Sequence, residues 1–276
     1  MKKIVILSLL FFVSLLMILN SCNKKKELDI ETQSVVDNAL CEQSFMAIQP
    51  VVNDKGINEN GLKKVSTSCE TFSLIAGDTT DISPRDGTFD NGPVTFQIDY
   101  GATGCIGDDG VTRTGKINIS TSRKWKKYGN LVSVDLVGYK ANGITFTGQI
   151  KITLLDSVTL STEIVNGNCT NGNWSIDYAG TKTMKQIAGF NTRNIAADDV
   201  FSITGNSSGK NRNGRAFTTS ITQELIKKTN CKWITSGVLN LTPDGFATRS
   251  INYGNGTCDD DATFTVNGQT ITFKLQ

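Results

Sequence analysis

An all-β fold, an antiparallel meander of hairpins preceded by one amphipathic helix, is predicted by three features of the sequence. Residues 94–100, 116–120, 132–136 and 144–150 alternate apolar and polar side chains, the period of two expected of antiparallel strands that are dry on one face. Asn-Gly pairs begin at Asn91, Asn142, Asn166, Asn171, Asn213, Asn255 and Asn267, and Asp244-Gly245 joins them. These dipeptides supply the positive φ angles of two-residue hairpin turns. Before the strands, Val35, Val36, Ala39, Leu40, Phe45 and Ile48 recur at intervals of three and four up to Pro50, which predicts a helix that covers a face or edge of the sheet.

The N-terminus addresses the chain to a membrane. Met1-Lys2-Lys3 is a basic head, and residues 4–19 form an apolar run broken only by Ser8 and Ser14. That length suits a leader peptide better than a spanning helix. The run closes in Leu19-Asn20-Ser21-Cys22, which resembles a bacterial lipobox, with Asn20 a looser match at its place. On this reading residues 1–21 are a signal peptide and Cys22 carries acyl chains of the palmitate class, which bury enough methylene to hold a protein on a bilayer. Residues 22–30 form a polar tether whose Lys24, Lys25 and Lys26 are placed to touch anionic headgroups or simply to be solvated. The helix spans 31–50. A first β lobe (51–160), opening on an Asn-, Gly- and Lys-rich loop, and a second (161–276) follow; one curved sheet or a sandwich fits the same pattern. Further β-like runs lie near 174–178, 200–203, 216–225, 233–241 and 263–275.

A repeat favours the two-lobe version. Ile98-Asp99-Tyr100-Gly101 leads to Cys105 and then Asp108-Asp109-Gly110, and Ile251-Asn252-Tyr253-Gly254 leads to Cys258 and then Asp259-Asp260-Asp261. If Cys22 is acylated, Cys41, Cys69, Cys105, Cys169, Cys231 and Cys258 remain, and an exported chain with six cysteines is expected to form disulfides, with 15 pairings available. Cys69 and Cys231 each open a β-like run upstream of the equivalent cysteines. The repeat therefore predicts Cys69–Cys105 and Cys231–Cys258, and leaves Cys41 with Cys169. No Cys-x-x-Cys spacing suggests a metal.

Composition removes much chemistry. The 28 Lys and Arg fall to 26 once Lys2 and Lys3 leave with the leader, equal to the 26 Asp and Glu, so nothing draws the mature chain to nucleic acid. The chain has no histidine, which excludes Ser-His-Asp and Cys-His sites and His-bound zinc. Asp108-Asp109 and Asp259-Asp260-Asp261 suggest calcium or a carboxylate pair, yet neither has calcium-loop spacing. Adjacent aspartates also diverge along an extended chain, so turn-forming and backbone-capping roles are expected. The ligand-binding candidate is Arg123-Lys124-Trp125-Lys126-Lys127-Tyr128, basic and aromatic residues interleaved at a hairpin tip, suited to an anionic headgroup or a glycan or to guarding a sheet edge. Residues 210–215 form a second basic corner that a hairpin turn explains, and Trp174 and Trp233 are expected in the core.

The segments from Ile98-Asp99-Tyr100-Gly101 to Arg113-Thr114-Gly115-Lys116-Ile117, Asp198-Asp199 to Ile203-Thr204-Gly205, Asn213-Gly214, and Tyr253-Gly254-Asn255-Gly256-Thr257-Cys258-Asp259 resemble a family of uncharacterised bacterial outer-membrane lipoproteins. That resemblance implies an acylated N-terminal cysteine, a β-rich secreted body and the outer membrane, and it brings no catalytic residue. The expectation is a non-catalytic, cofactor-free envelope lipoprotein that binds lipid or glycan. The alternative is a structural subunit that docks on another envelope protein.

Overall fold

The structure, a computed structural model, describes residues 29–57, 69–78, 92–107, 109–121, 128–191 and 198–275. After helix α1 (Gln33–Ile57) come fourteen strands: β1 (Thr71–Ala76), β2 (Val94–Asp99), β3 (Cys105–Ile106), β4 (Thr112–Thr121), β5 (Leu131–Ala141), β6 (Ile144–Leu154), β7 (Thr159–Thr170), β8 (Ser175–Ala188), β9 (Val200–Lys210), β10 (Ala216–Lys228), β11 (Ile234–Pro243), β12 (Arg249–Asn255), β13 (Asp261–Val266) and β14 (Gln269–Lys274). All belong to one antiparallel sheet. Each strand pairs with the next in sequence from β1 to β14, except that the short β3 lies to one side and pairs with β4. The sheet is open, with β1 and β14 as its edges. The boundary expected between lobes, at 160/161, falls inside β7, which is paired along its length to β6 and β8.

The alternating runs become strands because their apolar residues share one face, which packs on α1 along most of the sheet and on Phe72 and Leu74 of β1 at Val94 and Phe96. In β2, Val94, Phe96 and Ile98 are buried, and in β4 Ile117 and Ile119. Hairpin turns fall at the expected Asn-Gly pairs between β5 and β6, β7 and β8, β9 and β10, and β13 and β14, with Asp244-Gly245 between β11 and β12. At Asn142-Gly143 and Asn267-Gly268 both residues have positive φ, as a type I′ turn requires. Asn166-Gly167 departs from expectation. Asn166 has φ 50°, but the pair lies within β7, where the register with β6 shifts between Thr147 and Gln149 and that with β8 between Ile164 and Gly167. It is a β-bulge rather than a corner. A Cβ on Gly167 would stand 2.5 Å from the Tyr178 carbonyl and 3.0 Å from the Phe45 ring, so the glycine makes room for the helix.

Helix α1 differs from the expected surface helix. It continues past Pro50 to Ile57, although proline has no N–H to give to the carbonyl four residues back. Between Ser34 and Glu42 only Val36 escapes burial, since Ser34, Val35, Asp37, Asn38, Ala39, Leu40, Cys41 and Glu42 are all buried. Residues on every side of a helix are covered only if the sheet curls around it. Two apolar clusters share the helix. One joins Leu40, Cys41, Phe45, Ile48 and Val52 to the strands from β2 to β8, with Phe45 stacked on Tyr178 at 5.8 Å and edge-on to Phe146 at 5.7 Å. The other joins Val35 and Ala39 to Ile203, Leu239, Ile251 and Phe264.

Disulfides Cys69–Cys105 and Cys231–Cys258 are formed, with Cα–Cα distances of 5.5 and 5.7 Å. Each closes the open end of a hairpin, β1–β2 in one case and β11–β12 in the other. Strand direction reverses at every step of the meander, so β2 and β12 run oppositely and the two bonds sit at opposite ends of the sheet.

Candidate functional site

A shallow cleft, largely open to solvent, lies where the β7–β8 and β9–β10 turns meet at one end of the sheet. It has a volume of about 410 Å³ and is lined by Thr170, Trp174, Asp177, Lys210, Arg212 and neighbouring turn residues. Each wall is built by local chemistry. In the β7–β8 turn, the Asn171 side-chain oxygen accepts from the backbone N–H groups of Asn173 and Trp174, and the Thr170 hydroxyl donates to the Trp174 carbonyl. In the β9–β10 turn, the Asn211 side-chain oxygen accepts from the N–H groups of Asn213 and Arg215. Such side-chain-to-backbone bonds hold asparagine in turns.

The second wall is tied to the helix. Asn211 Nδ2 donates to Ser34 Oγ at 3.0 Å and to Glu31 Oε1 at 3.2 Å. The fully buried Asp37 carboxylate receives the Arg212 backbone N–H at 2.8 Å and its Nε at 2.7 Å, with Nη2 at 2.6 Å. So fixed, the Arg212 guanidinium lies 4.5 Å over the Trp174 ring, a cation–π contact that sets the indole's position. Across the cleft floor Asn168, Asp177 and Lys210 are in register on three successive strands, and Asn168 Nδ2 donates to Asp177 Oδ1 at 2.9 Å. Asp177 and Lys210 are exposed. One carboxylate, one amine, several amides and an indole edge suit a ligand rich in hydroxyl groups. Hydrolysis of a glycosidic bond needs two carboxyl groups facing each other, and this lining offers one.

The other groups marked in the sequence serve structure. Asp109 receives Nη1 of Arg113 at 2.8 Å and Nη2 at 2.5 Å, and also takes the Val111 N–H. The Arg113 bonds hold the Asp109 carboxyl below its ordinary range. Arg113 Nε in turn donates to the buried Tyr139 hydroxyl at 3.2 Å. Asp259 caps the Asp261 N–H at 3.0 Å, and Lys274 bridges Asp260 and Asp261 at 2.6 and 2.7 Å, which lowers the Asp260 pKa. Among the described residues one group of metal-ligating types gathers, Cys69, Glu70 and Cys105, but both sulfurs are already bonded to each other.

Cys22, Asp108 and residues 123–127, Arg123, Lys124, Trp125, Lys126 and Lys127 among them, lie outside the described residues. Tyr128 is described and is exposed in the turn before β5, at the opposite end of the sheet from the cleft. Trp233 is half-buried against the second cluster, as expected. Trp174 packs against the first cluster and also lines the cleft, a role its alternating surroundings hid. Asp177, Lys210 and Arg212 were likewise missed as a group, because only the β8–β9 register brings them together.

Comparison with family models, with curated proteins and with solved structures finds no match to any of them. No described helix is long and apolar enough to cross a membrane.

Proposed function

We propose that the protein is a non-catalytic lipoprotein of the bacterial outer membrane, held there by acyl chains on Cys22, whose sheet presents a glycan-binding cleft at Trp174, Asp177, Lys210 and Arg212. The lipobox-like Leu19-Asn20-Ser21-Cys22 and the resemblance to envelope lipoproteins support the anchor. The observation that carries the binding reading is the cleft itself: about 410 Å³, an indole held by Arg212, and polar side chains from adjacent strands. Of lipid and glycan, the cleft favours glycan. Its lining is polar, and the inner side of the sheet, where an acyl chain would go, is filled by α1.

The test is a glycan microarray probed with the detergent-solubilised full chain. Discrete signals that fall at least about tenfold on Trp174→Ala or Asp177→Ala, in variants with unchanged circular dichroism, support the reading. A blank array, or signals indifferent to both substitutions, removes it.

One observation favours docking on another envelope protein as a second role. At the end of the sheet away from the cleft, Tyr128, Leu155 and Phe190 in the β4–β5, β6–β7 and β8–β9 connections, with Leu131 at the start of β5 and Ile187 near the end of β8, are all exposed. Apolar groups gathered on one rim mark contact surfaces. A photo-crosslinker at Leu155 should then capture one discrete protein in the native membrane; a diffuse smear or no product speaks against it.

A further inference from the structure

Cys41, in the middle of α1, and Cys169, near the end of β7, are wholly buried, and their sulfurs face each other 2.6 Å apart. The other four described cysteines are already paired. Cys169 stands in register between Phe146 and Ile176, both buried, so the sulfurs meet inside the first apolar cluster and away from solvent. We infer that Cys41 and Cys169 form a third disulfide that bolts α1 to the sheet.

In this step a sulfur–sulfur bond forms and two S–H bonds are lost. Two protons leave, and two electrons pass to a protein or small-molecule disulfide of the oxidising envelope, which is reduced to two thiols. Attack requires access to the sulfur, and the seated helix denies it. The exchange therefore belongs to folding, before α1 is fully enclosed. The bond has a distinct task from the other two. Each of those closes a single hairpin, with sequence separations of 36 and 27, whereas this one joins residues 128 apart and ties the helix to the strands around it. It also keeps in place the element that positions the cleft, because Asp37 and Ser34 on the same helix hold Arg212 and Asn211. The inference stands whether or not the cleft binds a glycan.

Peptide mapping of the full chain, denatured and alkylated without reductant, tests it directly. A linked peptide pair containing Cys41 and Cys169, with neither residue alkylated, is expected; recovery of both as alkylated thiols overturns the inference. Thermal unfolding provides a second reading that survives if one variant folds poorly. Cys41→Ala and Cys169→Ala should each lower the midpoint by roughly 10 °C, and the double variant should fall no further. A double variant that loses the sum of the two single shifts contradicts a bond between them.

Discussion

Glu42 and Lys182 meet at 2.6 Å with side chains only 5% and 4% exposed, a charge pair buried against the sheet's inner face. Removing one partner strands the other charge in a dry site, which typically costs about 3–5 kcal/mol, whereas replacing both with apolar groups is often neutral. Lys182→Met is therefore expected to lower unfolding free energy in urea by that amount, and Glu42→Leu/Lys182→Met to recover most of the loss. A double variant as unstable as the single would show that the pair itself stabilises the fold. Asp109 gives a pH dependence of opposite character, at the surface. Its folded pKa lies below the unfolded value near 4 because Arg113 donates to it, so its contribution is complete above about pH 4 and is lost as pH falls through the lower folded value. Asp109→Asn should flatten the acid limb of the stability curve below pH 4 and leave the neutral region parallel to wild type. These buried pairs were not legible in the sequence. Helical spacing identified Val35, Ala39, Leu40, Phe45 and Ile48, but it carried no sign that Asp37 and Glu42 beside them are buried as well. Their partners Arg212 and Lys182 come from strands whose place beside the helix no local pattern announces.

At the scale of elements, the strands were the most legible part, because a half-buried antiparallel strand writes its period of two directly into the chain. Five turns at Asn-Gly or Asp-Gly followed from local chemistry for the same reason. Asn166-Gly167 was misleading because a β-bulge uses the same positive φ as a turn, and only the register of β6 and β8 around it separates the two. The repeated Tyr-Gly…Cys motif marks, in both places, a hairpin closed by a disulfide. Such a bond acts by restricting the unfolded chain. Cys231→Ala/Cys258→Ala should therefore cost about 3 kcal/mol in urea unfolding for a loop of this length. A loss well under 1 kcal/mol would mean that β11 and β12 hold their register unaided.

The described part of the molecule is one sheet whose two larger apolar clusters share helix α1, Val35 and Ala39 serving one and Leu40 to Val52 the other. Removing α1's covering from either cluster exposes the other, so the body is expected to unfold in one step. Calorimetric and van't Hoff enthalpies that agree would meet that expectation; two resolved transitions would restore a pair of independent lobes. The lack of histidine had already narrowed the chemistry open to the chain, but the cleft was invisible, since its residues come from two hairpin tips joined only by the sheet. We propose that acyl chains on Cys22 anchor the protein and that it holds a glycan at Trp174, and native mass spectrometry of the protein gently extracted from its own membrane examines both at once. A polypeptide beginning at an acylated Cys22 is expected, with a carbohydrate adduct that Trp174→Ala abolishes; a chain that still carries residues 1–21, or a spectrum without an adduct, would refute the proposal.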